Sequence, residues 1–125
     1  MSKKLLIAFS TFSFFFFNFS FLKADLQIPN SSILPAEVIK IQLVGLMNND
    51  KEFKDSGIEQ TWNFAHPNNK RVTGPLSKFK MMLKSDSYEM MINHLSHTIT
   101  ELGSSDKWAQ FEVIILDKNM LYHKF

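Results

Sequence analysis

Residues 108–116 read WAQFEVIIL. Alternation along this run puts Ala109, Phe111, Val113 and Ile115 on one face and Trp108, Gln110, Glu112, Ile114 and Leu116 on the other, the period of two that a pleated strand demands. Just upstream, His97 to Leu102 (HTITEL) is rich in β-branched residues, and Gly103-Ser104-Ser105-Asp106 reads as the turn joining the two extended runs. Downstream, Asp117-Lys118-Asn119 reads as a hairpin turn and Met120 to Phe125 as the start of a returning strand.

Before this stretch the apolar period is helical. Pro35 suits a first helical position, and Ile39, Leu43, Leu46 and Met47 then fall at i, i+4, i+7 and i+8, a single stripe that ends at Asn49 and Asp50. A second, shorter helix is expected over Gly57 to Ala65, with Ile58, Trp62 and Ala65 facing inward beside Phe53 and Phe64. His66-Pro67-Asn68-Asn69-Lys70-Arg71 interrupts it, because Pro67 disfavours helical geometry at His66, and the segment reads as a polar loop. Thr73-Gly74-Pro75 opens another helix carrying Leu76, Phe79 and Leu83, and a further turn places Tyr88, Met91, Ile92 and Leu95 at helical spacing. Helices first and strands afterwards predict an α+β fold with an antiparallel sheet.

The first 24 residues are a different polymer. They hold eight of the 13 Phe and three basic residues, with no acidic ones, and Lys3 and Lys4 precede an uncharged stretch from Leu5 to Leu22. This is the layout of a signal peptide cut after Ala24, or of an N-terminal anchor at the short end of what crosses a bilayer. Residues 25–34, DLQIPNSSIL, read as a linker, and 35–125 as one domain. The address expected is export, to a periplasm or equivalent lumen, or tethering to the membrane through the N-terminal segment.

Residues 25–125 carry 11 basic and 12 acidic side chains, so the basic pI belongs to the leader and the body offers no electrostatic case for nucleic acid. With no cysteine, a thiol nucleophile, a thiolate metal site and a disulfide framework are all excluded. His94 and His97 are three apart, but HLSH straddles the change from helix to strand, which argues against a common face, and two imidazoles lack the third ligand zinc needs. No metal or cofactor is expected.

The runs VIKIQLVGLMNND from Val38, GIEQTWNFAHPNNKRVTGPLSKFKMML from Gly57 and SYEMMINH from Ser87 resemble an uncharacterised family of bacteria and plants, domain of unknown function 4864. The most specific part is Phe64-Ala65-His66-Pro67 followed by Thr73-Gly74-Pro75 and Phe79, with Tyr88 and His94 downstream. That resemblance implies a cone-shaped α+β fold similar to nuclear transport factor 2, in which helices cover a curved antiparallel sheet around a pocket, and it implies no established reaction. Relatives of that kind continue past the hairpin with two more sheet segments, so the sheet here is expected to be incomplete, with an open edge.

Trp62, Phe79 and Tyr88 are then the candidate lining of a cavity for a small apolar ligand, with His66, Asn68 and His94 as polar contacts. The leading expectation is an exported accessory or small-ligand-binding domain with no catalytic residue assigned. One alternative is a small isomerase, hydratase or hydrolase using His66 or His94 as base. Another is a structural module that completes its sheet with a partner strand or a second copy. Lys70, Arg71, Lys78, Lys80 and Lys84 form the one basic concentration of the body, suited to an anionic ligand or lipid head group, or simply a solvated face.

Overall fold

A computed structural model describes residues 25–125, and the leader lies outside them. The fold is α+β. Helices α1 (Pro35–Met47), α2 (Ser56–Asn63), α3 (Pro67–Thr73) and α4 (Leu76–Leu83) come first, then a single 3-10 turn (Glu89–Met91), then strands β1 (Ser96–Ser104), β2 (Ala109–Leu116) and β3 (Tyr122–Lys124) in an antiparallel sheet of order β1-β2-β3. Among the described residues no helix is long and apolar enough to cross a membrane.

The core lies among the helices. Leu46 of α1, Ile58 of α2 and Phe79 and Leu83 of α4 form its buried cluster, and Trp62, Leu76, Met82, Met91 and Ile92 pack around it. Helices α1 and α2 cross closely because Gly45 and Gly57 meet at the contact, where a Cβ on Gly57 would collide with the Gly45 carbonyl and come within 2.9 Å of Asn49 Cα. The sheet adds little to this core. Ile115 is its one fully buried apolar side chain.

Three local readings need correction. Residues 67–73 are a helix, not a loop: Pro67 takes the first helical position, and His66 Nδ1 accepts the Asn68 N–H at 3.1 Å, capping the new helix. Gly103 and Ser104 belong to β1, paired with Gln110 and Ala109, and the irregularity falls at a bulge between Glu101 and Gly103. The turn carrying Tyr88 is 3-10, and Leu95 beyond it is half exposed, because Asn93 at φ 56° reverses the chain and directs it into β1.

The α2 start depends on a residue far from it in sequence. Asp55, the residue before α2, has left-handed backbone and gives no side-chain cap. Buried Asn49 does that work instead: its carbonyl accepts the Gly57 N–H (2.8 Å) and the Ser56 hydroxyl (2.8 Å), and its side-chain oxygen accepts the Ile58 N–H (3.0 Å). The segment read as a linker is held too, since Gln60 Oε1 accepts the Gln27 N–H at 2.7 Å and Gln60 Nε2 donates to the Gln27 carbonyl at 3.0 Å.

Candidate functional site

The six residues singled out from sequence do not converge on one cavity. Trp62 and Phe79 are in contact, ring centroids 5.2 Å apart, as packing partners at the helical core. His66 and Asn68 sit exposed at the start of α3, joined to each other by the cap. Tyr88 is 38% exposed on the 3-10 turn. His94 is buried between the helices and the sheet. None of them lines either of the two main clefts of the described residues.

His94 and His97 meet after all. His94 Nε2 lies 2.7 Å from His97 Nδ1, and His94 Nδ1 lies 2.6 Å from the Met91 carbonyl. The reversal at Asn93 accounts for this: Asn93 N–H donates to the Leu46 carbonyl and Leu95 N–H to the Leu116 carbonyl, both at 2.8 Å, pinning the connection between α1 and β2 and turning the two rings toward each other. Since a carbonyl can only accept, His94 carries its proton on Nδ1, and the neutral Nε2 accepts from His97 Nδ1–H. Burial holds both imidazoles below their ordinary pKa, and for His97 the charges of His94 and of Lys40 on α1 push the same way. Among the described residues no group of three or more His, Cys, Asp or Glu is placed to hold a metal ion.

On the same sheet face, the row His97, Ile115, His123 runs across all three strands. His123 Nε2 is 2.7 Å from Asp117 Oδ2, while Asp117 Oδ1 accepts the N–H groups of Asn119 (2.8 Å) and Leu121 (3.0 Å). The Leu121 amide, the His123 ring and the Asn119 amide hold the Asp117 carboxyl below the usual carboxylate range, against a desolvation that works the other way.

The larger cleft, about 390 Å³, runs between α1, α2 and the segment held by Gln60, with Leu26, Ile41 and Val44 apolar and Lys40, Lys51 and Glu52 charged along it. Nothing in the sequence periodicity marked it, because Leu26 and Gln27 reach it only through the tie to Gln60. A smaller cleft of about 250 Å³ surrounds Asp55 and Lys84, which form an ion pair at 2.7 Å.

The most exposed structural feature is the sheet itself. β1 pairs with β2 alone and β3 with β2 alone, so both outer strands present unpaired edges among the described residues. Ile99 and Val113, on the face shared with Ile115, are only half-buried, and Phe125, which exchanges both backbone hydrogen bonds with Val113, is 43% exposed. Comparison with protein-family models, curated proteins and solved structures found no match to the chain.

Proposed function

We propose that this protein is a non-catalytic binding module, exported or membrane-tethered, that works by completing its sheet with an extended segment of another chain along β1. The observation that carries the reading is the free edge of β1. From Ser96 to Glu101 it is a regular run of six residues paired on one side, with a single acidic side chain and exposed Thr98 and Thr100. Long edges are normally blunted by lysine, proline or cover, and one left this open suits strand addition. The half-covered face bearing Ile99, Val113 and Phe125 adds apolar surface for the same partner to bury. The likeness to cone-shaped folds belongs to this reading, supported by the α+β order and by α1 packing against β1 of an antiparallel sheet.

A histidine-based enzyme has less support. Both ring nitrogens of His94 are engaged internally, and His66 Nδ1 serves as a helix cap on an exposed surface. Small-ligand binding is favoured by a separate observation, the cleft between α1 and α2, whose volume falls in the range of small-molecule sites.

The test is hydrogen exchange at β1 combined with sedimentation, comparing the wild type with Thr98→Lys/Thr100→Lys, which places charge on the edge without touching the core. The wild type is expected to associate at micromolar concentration with β1 amides protected, and the variant to stay monomeric with an unchanged unfolding midpoint. A wild-type monomer whose β1 edge amides exchange freely in the presence of its cellular extract would sink the reading.

A further inference from the structure

The charge of residues 25–125 is nearly balanced in total but not in space. From residue 60 to 85 there is no acidic side chain, while Lys70, Arg71, Lys78, Lys80 and Lys84 all fall there; the rest of 25–125 carries six basic and twelve acidic residues. Helices α3 and α4 therefore form a cationic hairpin on an otherwise acidic body.

The same hairpin exposes apolar side chains that helices of this length normally bury. Val72 is 74% exposed and Met81 75%. Lys78 Nζ lies 3.5 Å from the Val72 carbonyl, which brings the first turn of α4 against the end of α3, and Met81 follows Lys78 by three positions on the same side of α4. Phe79 and Leu83 point the other way, into the core. Val72, Lys78 and Met81, with Arg71 beside Val72, thus make one outward patch of mixed apolar and cationic character. Lys84 is paired with Asp55 and Lys70 lies over the Trp62 ring, but the side-chain contact of Arg71 is to neutral Asn68 and that of Lys78 to a backbone carbonyl, so both keep their charge uncompensated.

We propose that the α3–α4 hairpin is a docking surface for an anionic lipid bilayer. Cations there meet the head groups, and a short branched and a flexible apolar side chain enter the boundary just beneath them. Single-stranded nucleic acid fits less well, because it asks for exposed aromatic rings, and of the rings beside this hairpin Phe79 is buried and Trp62 packs against it at a tilt with Lys70 over its face. The surface is separate from the β1 edge, so the two can succeed or fail independently.

The absence of cysteine makes the test site-specific. Met81→Cys in the full-length chain, carrying an environment-sensitive fluorophore, reports whether this patch enters lipid, whatever the leader does. With vesicles of phosphatidylcholine mixed equally with phosphatidylglycerol, the probe emission is expected to rise and shift to the blue, and to revert at high salt. With phosphatidylcholine alone it stays as in buffer. Adding Arg71→Glu/Lys78→Glu should weaken the response at least twenty-fold, since each cation near an anionic surface contributes about five-fold. Both positions are exposed, and an unchanged circular dichroism melt confirms that folding is intact. A chain that pellets with anionic vesicles while the probe is unmoved is held by its leader alone, and overturns the proposal. So does an equal response to neutral vesicles, or a response to single-stranded RNA without one to lipid.

Discussion

His97 donates its Nδ1 proton to His94 Nε2 across 2.7 Å, and His94 in turn donates to the Met91 carbonyl. With both rings neutral every one of these contacts has one donor and one acceptor. Protonating His94 would oblige His97 to move its own proton to Nε2 so that Nδ1 can accept, and would put a charge where burial disfavours one. Because both folded-state pKa values lie below the ordinary value near 6.5, the unfolded chain takes up protons first on acidification. Stability is therefore complete above about pH 6.5 and declines as pH falls through that value toward the lowered ones. Urea midpoints measured at neutral and mildly acidic pH are expected to drop on the acid side, and His94→Gln, which can still donate and accept, should lessen the drop.

The α1–α2 contact tolerates no side chain at Gly57. Gly57→Ala should destabilise by about 3 kcal/mol, the upper end of the cost of overpacking, because the obstacle is the Gly45 backbone and not a movable side chain. Chemical denaturation checks this directly. A loss below about 0.5 kcal/mol, typical of surface positions, would mean the helices can part at little cost.

Asn49 and Asn48 are neighbours with opposite expectations. Asn49→Ala leaves the buried Ile58 N–H without its acceptor and removes a donor from Asp55, at a cost of about 1–3 kcal/mol. Asn48 reaches the Val44 carbonyl from an exposed position, so Asn48→Ala should cost no more than about 0.5 kcal/mol. The difference between the two denaturation midpoints is the measurement.

Asp117→Ala should detach β3 while leaving β1 and β2 paired. It removes the acceptor for Asn119 and Leu121 and the partner of His123. Hydrogen exchange is expected to accelerate at Leu121 and Phe125, with Thr98 and Ile114 unaffected. The wild type should show the same loosening in acid, since a carboxyl with a lowered pKa contributes above its ordinary value and loses that contribution as pH falls through the folded one.

Periodicity located α1, α2, α4, β2 and the 117–119 turn because each follows a simple rule: a stripe at 3.6, an alternation at 2, a proline at a helix start. What it missed depends on distant partners or on a choice between two uses of one residue. Pro67 could serve to stop one helix or to start the next; α2 already stops at Asn63, and Pro67 starts α3 with His66 as its cap. The His94–His97 contact depends on a left-handed Asn93 pinned by Leu46, 47 positions earlier, which no local pattern encodes. Of the aromatic residues expected around a cavity, Trp62 and Phe79 fill the space between the helices with each other, and Tyr88 is exposed instead.

The grip of Gln60 on Gln27 fixes where the amino-terminal end of the body emerges. An extended chain spans at most about 3.6 Å per residue, so Asp25 lies within roughly 7 Å of that anchor. A peptidase that grips residues 25–29 in extended form must first take Gln27 from Gln60. Proteolysis within this segment is therefore expected only after the glutamine clasp opens.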